Sequence, residues 1–225
     1  MSLLTFDLAL AQLLDGAQPL TQIESLATFD AAGRVLARPQ TSAIDVPPLD
    51  NSSMDGYAVR CADVPATGTR LALTQRIPAG SVGHSLAPGT AARIFTGAPV
   101  PPGVDAIVMQ EMCARDGDDD LGNAGAPHVT INHVPQPGDW IRRAGEDIRA
   151  GSEILAAGTR LTPPQLGLAA SVGIAALPVF RRLRVAVFST GDELVMPGEV
   201  ATAALPPGAI YNSNRYLLRG LLQQL

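Results

Sequence analysis

Four short stretches concentrate the residue types that do chemistry on anions. PPLDNSSMDGYAV (47–59) is a proline-bounded loop with two carboxylates, Asp50 and Asp55, small hydrogen-bonding side chains and a glycine. By itself it reads as an Asx-rich turn. RIFTGAPVPPG (93–103) runs a strand into Thr96-Gly97, where a hydroxyl and backbone N–H groups can face an anion. WIRRAGEDI (140–148) sets Arg142 and Arg143 ahead of Glu146 and Asp147 across one glycine. Arginine forks bind phosphate and other oxyanions, and carboxylates beside them can hold a divalent ion. A surface salt-bridge cluster is the alternative reading. VAVFSTGDEL (185–194) reads as a buried strand ending in Thr190-Gly191, then Asp192 and Glu193. In open α/β sheets ligands bind at such strand ends, so this stretch ranks first as a site. It lacks the Gly-Lys-Ser/Thr of a Walker A loop. Together the stretches suit metal-assisted chemistry on a phosphorylated or oxyanionic ligand.

Composition bounds that chemistry. All 16 basic residues are arginine, so Schiff-base and lysine-base mechanisms are excluded within these 225 residues. The net charge of −5 argues against a general nucleic-acid binder. The charge is uneven: residues 1–140 carry seven Arg against fifteen acids, and residues 141–225 carry nine against six. An anion site in the second part is compatible with that balance. Hydrophobic residues reach 46% and charged residues 16%, the balance of a chain that buries a core. The two cysteines, Cys61 and Cys113, are too far apart for paired zinc ligands and read as a reduced, cytoplasmic pair. The apolar opening has no basic flank and contains Asp7, unlike a signal peptide, and no window reaches the length of a membrane span.

The elements that must position these residues follow from pattern. Leu3, Phe6, Leu10, Leu13 and Ala17 form one helical stripe, ending near Gly16. Ala31, Ala32, Val35 and Leu36 predict a second helix over 28–37, stopped by Pro39. From Thr41 to Asp139 the pattern becomes strands between Pro/Gly turns: 70–77, 91–95, 106–109 and 129–133. Residues 115–127 read as a solvated acidic loop, since Asp118–Asp120 lacks EF-hand spacing. Residues 162–172 predict a helix with Thr162 as N-cap, Pro163 in the first turn and Gly173 as stop. The apolar run 183–189 predicts a strand buried on both faces of a parallel sheet, followed by a connector and a helix from about Asn212. A parallel βα unit needs neighbours for its strand, so the last 45 residues read as the opening of an α/β domain.

The motifs DNSSMDGYAV, RIFTGAPVP, RRAGEDI and FSTGDEL, in this order and at these separations, closely resemble the MoeA family of molybdopterin molybdenumtransferases, which includes the C-terminal domain of gephyrin. The resemblance implies a mixed α and β, multidomain fold. Its parts would be a helical/β N-terminal region (1–48 and 140–180) with an inserted β-rich domain (49–139), then the truncated start of a MogA-like α/β three-layer domain (181–225). Under this scheme the first helix has that last domain as a surface to pack on.

The resemblance further implies insertion of molybdenum from molybdate into adenylylated molybdopterin with Mg²⁺ and release of AMP. Asp55, Asp147 and Glu193 match active-site positions that would hold metal, molybdate or the hydrolytic water. Thr96 would give an oxyanion a hydrogen bond, Arg142 and Arg143 would offset phosphate and molybdate charge, and Thr190, Gly191 and Asp192 would shape the pterin-phosphate loop. A homodimer is implied, its cleft between the β-rich domain of one subunit and the α/β domain of the other, with a MogA-like adenylyltransferase upstream in the pathway. Asn212 stands where many relatives have Asp, so no carboxylate role is carried there. The family's later GGVSVG loop and Pro-Gly-Lys-Pro segment are absent, and the expectation is therefore that these 225 residues alone are inactive. The competing readings are a non-catalytic scaffold of the gephyrin type and a general Mg²⁺-dependent phosphohydrolase.

Overall fold

The computed structural model of the chain describes residues 4–116 and 127–224. The expected acidic loop therefore lies largely outside the described residues, with Asp118–Asp120, and so does Leu3 of the first stripe. In chain order the first elements are α1 (Phe6–Asp15), β1 (Ile23–Ala27), β2 (Gln40–Thr41), β3 (Asn51–Ser52), β4 (Gly56–Val59) and β5 (Thr69–Ile77). Next come β6 (Thr90–Ile94), β7 (Ala106–Met109), β8 (Cys113–Asp116), β9 (His128–Ile131), β10 (Ile141–Arg142) and β11 (Glu153–Leu155). The last are α2 (Pro163–Ser171), β12 (Ala176–Phe180), β13 (Leu194–Val195), β14 (Ile210–Tyr211) and α3 (Ser213–Gln224). The fold is thus mixed α and β, mostly strand. The chain divides into two compact units, residues 22–180 and residues 1–21 with 181–225.

A six-stranded sheet in the order β7-β4-β6-β5-β9-β8 dominates the larger unit. All its pairings are antiparallel except β5 with β6. The period of two sorts its side chains: Tyr57 and Val59 of β4 enter one buried cluster with Val108 and Val129, while Ala58 enters the other with Ala92, Ile94 and Ile107. Leu71, Leu73 and Ile77 share a parity, yet Ile77 belongs to the opposite cluster from the two leucines. The register shift between Leu73 and Gln75 accounts for this, because one extra residue turns every later side chain to the other face.

A third buried cluster lies under α2, where Ala31, Leu36, Leu155, Leu161, Ala169, Leu177 and Val179 meet. Antiparallel pairs β1–β12 and β2–β11 frame it. α2 follows the expected start, with Thr162 as N-cap and Pro163 in the first turn. The Gln165 carbonyl oxygen reaches back to the Thr162 N–H at 3.2 Å, half of a capping box.

The helix expected over 28–37 is replaced by one 3-10 turn, Thr28–Asp30, and an extended run. Gly33 at φ 75° turns the chain so that its N–H meets the Leu161 carbonyl at 2.7 Å. Leu36 N–H then bonds Thr159 at 2.9 Å, and Leu161 N–H bonds Arg34 at 2.8 Å. Cross-chain partners satisfy the backbone here, and they overrule a local helical spacing that only nine or ten residues support.

In the smaller unit, α1 forms where the stripe predicts, with Gly16 as C-cap. Its apolar residues Phe6, Leu10, Leu13 and Leu14 are exposed. The strand expected over 183–189 is not formed: the segment has no ladder partner among the described residues, and Leu183 and Phe188 are 71% and 84% exposed. An apolar run cannot make a sheet without a neighbour to take its N–H and C=O groups. The parallel pair lies farther on, Leu194 and Val195 of β13 against Ile210 and Tyr211 of β14. α3 starts where expected, Asn212 capping it through a hydrogen bond to the Arg215 N–H at 3.1 Å.

Candidate functional site

The register of β4 against β6 opposes Gly56 to Ile94, so the residues one step beyond the ladder, Asp55 and Phe95-Thr96, emerge side by side. Gly56 permits this close approach. A Cβ there would overlap the Val108 carbonyl of β7. Asp55 Oδ1 accepts the Thr96 N–H at 2.8 Å and the Thr96 hydroxyl at 2.7 Å. An ionised carboxylate has no proton to give, so the hydroxyl is the donor. That hydroxyl, then the N–H, then the positive charge of Arg93, hold the Asp55 carboxyl below the usual carboxylate range. No donor among the described residues meets Oδ2.

Ser52 of β3, almost fully buried, joins this turn to a second one. Its N–H and C=O pair with the Ala98 carbonyl and the Gly97 N–H at 2.9 and 2.8 Å. On the other edge β3 pairs with β10, Ser52 opposite Ile141 and Asn51 opposite Arg142. Ser53 adds hydrogen bonds from its N–H and hydroxyl to the Trp140 carbonyl at 3.0 and 2.8 Å. Trp140 itself sits at φ 54°, an uncommon conformation for a bulky residue.

After β10 the RRAGED turn folds on itself. Arg142 is paired with Asp147, and its Nε lies 4.0 Å from Glu146. Arg143 donates from its N–H to Glu146 at 3.0 Å and from Nη1 to Asp50 Oδ2 at 2.6 Å. Ala144 N–H takes the other Asp50 oxygen at 2.8 Å. The Ala144 N–H and Arg143 hold Asp50 below the usual carboxylate range.

The remaining sequence-predicted residues, Thr190, Gly191, Asp192 and Glu193, belong to the smaller unit. Gly191 has φ 146°, a backbone conformation that L side chains rarely adopt, so the turn favours glycine; a Cβ there would meet only the movable end of the Glu193 side chain. The Glu193 carbonyl is fixed by the Ile210 N–H at 2.8 Å. Among the described residues no three His, Cys, Asp or Glu side chains gather as a metal-holding group.

Residues 4–173 match the MoeA N-terminal region, domain I and II. The chain belongs to the MoeA family. It is 40% identical over 224 residues to the molybdopterin molybdenumtransferase of Haemophilus influenzae, covering 99% of this chain and 52% of that protein. It is 43% identical over 213 residues to molybdopterin molybdenumtransferase 2 of Mycobacterium tuberculosis, covering 92% of this chain and 48% of the relative. The crystal structure of the molybdopterin biosynthesis moeA protein from Pyrococcus horikoshii OT3 superposes with a TM-score of 0.86 at 31% identity, covering 99% of this chain and 57% of that one. The chain spans about half the length of the curated relatives it matches.

Within this MoeA chain the structure joins Asp55 to Thr96, Arg142 to Asp147, and Arg143 to the 47–59 loop. Sequence reasoning quoted Asp50 and missed that it ties two motifs. Opposite charges in two motif loops were the available signal. Arg93 and Ser52 were also quoted within motifs and given no part. Nothing in their spacing marks them, because their significance comes from strand register.

Proposed function

We propose that this chain is the N-terminal part of an enzyme of molybdenum cofactor biosynthesis, which inserts molybdenum from molybdate into adenylylated molybdopterin and releases AMP. The observation that carries this reading is the convergence on Ser52 of the Asp55–Thr96 pair and the RRAGED turn, within a chain related over nearly its whole length to named molybdenumtransferases.

The geometry refines the roles. Thr96 gives both its donors to Asp55, so it fixes that carboxylate and has no hydroxyl proton left for an oxyanion. Asp55 presents Oδ2. A carboxylate with a lowered pKa is a poor base, so Asp55 orients water or a donor on the substrate and does not take its proton. Arg142 and Arg143 each keep guanidinium N–H groups beyond those bound to Asp147 and Asp50, and these attract phosphate or molybdate. Glu193 serves the molybdate or the hydrolytic water, and the Thr190-Gly191-Asp192 turn serves the pterin-phosphate end.

The donor set of residues 22–180 does not fit a magnesium site, since Asp147 is paired with Arg142 and Asp50 with Arg143, and no step is assigned to such an ion. The domain scheme is residues 1–48 with 140–180, 49–139, and 181–225. The enzyme acts in the cytoplasm as a homodimer, on substrate delivered by a MogA-like adenylyltransferase, and residues 1–225 alone do not turn over. The test is AMP release from adenylylated molybdopterin by a polypeptide that carries this chain with the C-terminal half of a relative. Molybdate-dependent release supports the reading; release that ignores molybdate, or acts equally on simple nucleotides, contradicts it.

A further inference from the structure

Arg93 of β6 is a charged side chain only 7% exposed, in the middle of the sheet that carries Asp55. Burying a cation is costly unless its donors and charge are answered. Here they are answered by groups that flank the site. Nη1 donates to the Gly56 carbonyl at 2.9 Å, the residue after Asp55. Nη2 donates to the Gln110 side-chain carbonyl at 2.6 Å, and the Gln110 N–H donates to the Asp55 carbonyl at 3.1 Å. The guanidinium also stacks on Phe95, the residue before Thr96, at 4.6 Å, and on Tyr57 at 5.1 Å. Phe95 is further covered by Arg76 at 4.6 Å. Nε has no hydrogen-bond partner among the described residues, so the fork is aimed at these groups at the expense of its third position.

We propose that Arg93 is the positioning residue of the Asp55–Thr96 pair, its fork and its stack on Phe95 holding the backbone on both sides so that both Thr96 donors reach one Asp55 oxygen. Lysine cannot replace it, because a single ammonium on a flexible stem cannot bond the Gly56 carbonyl and Gln110 in one plane while stacking on a ring. The inference rests on the proposed importance of that pair, but its experiment reads geometry and not turnover, so the two can fail separately.

The experiment is amide hydrogen exchange at Thr96, read by NMR in the full chain, with thermal melting to confirm that each variant folds. Asp55 Oδ1 holds the Thr96 N–H, so Asp55→Ala sets the scale by releasing it. Arg93→Lys keeps the charge and removes the fork. It is expected to speed Thr96 exchange by at least half of the Asp55→Ala acceleration on a logarithmic scale, and to add little in the Asp55→Ala background. A folded Arg93→Lys chain with unchanged Thr96 exchange would overturn the proposal. Should Arg93→Lys not fold, Gln110→Ala decides. Gln110 is exposed, and losing its side chain frees one arm of the fork. A smaller acceleration supports the proposal, and none overturns it.

Discussion

Thr96 presents both its hydroxyl and its N–H to the same oxygen of Asp55, a residue 41 positions away. The other Asp55 oxygen is left for whatever enters the site. A carboxylate bound in this way is fixed in direction and kept ionised, which is worth more to a site than basicity.

Thr96→Val should therefore raise the Asp55 titration and weaken the fold slightly. Asp55 has a folded-state pKa below its unfolded value. Its contribution is present above the unfolded pKa and is lost as pH falls through the folded one. The stability gap between parent and variant should be about 0.5 kcal/mol near neutrality, small because the pair is solvent-facing, and should close on acidification. Urea unfolding at a series of pH values checks both the sign and the closure.

Asp50→Asn tests the tie between the 47–59 loop and the RRAGED turn. Asparagine can still accept the Ala144 N–H but no longer holds Arg143 as an ion pair. The expected cost is about 0.5 kcal/mol at neutral pH, held down by solvent screening of this exposed pair, and it falls under acid for the same reason as at Asp55. Faster amide exchange in residues 143–147, with the β-sheet amides unaffected, is the accompanying local signature.

The tie was only half legible beforehand. Motif order, four strands of the six-stranded sheet (β5, β6, β7 and β9), α1, α2 and the start of α3 follow from period, caps and turn residues, which are local properties; the 47–59 stretch reads as a loop, yet its end forms the buried strand β4, and β8 was not expected either. The helix over 28–37 failed because its backbone found partners at 159–161, a pairing no local pattern announces. The strand over 183–189 failed for the reverse reason: its composition suits a buried strand, but no described segment pairs with it. The site residues were recognisable by type. That Asp55 meets Thr96 depends on the register of β4 with β6, and that Arg143 meets Asp50 depends on two-residue ladders too short to read from sequence.

Gly56→Ala should be among the most damaging small substitutions. A methyl there would overlap the Val108 carbonyl, which is backbone and cannot turn aside. Separating β4 from the edge strand β7 is expected to cost about 3 kcal/mol. A urea midpoint within error of the parent would refute the packing argument.

Cys61 and Cys113 should resist alkylation in the folded chain. Burial pushes both thiols up to about 12, and hydrogen bonding and charge from Asp105 add to the rise at Cys61. Only the thiolate reacts, so near neutral pH iodoacetamide should label the native chain far more slowly than the urea-unfolded chain. Equal rates in both states would contradict the burial of these thiols.

The proposed role of Asp55 is decided by the turnover of Asp55→Asn in the polypeptide that joins this chain to the C-terminal half of a relative, read as molybdate-dependent AMP release from adenylylated molybdopterin. This substitution keeps shape and removes charge. A loss of about a hundredfold in kcat with the fold intact is expected, the size seen when a single oriented charge is removed from an active site. Parental turnover by a folded Asp55→Asn enzyme would contradict it.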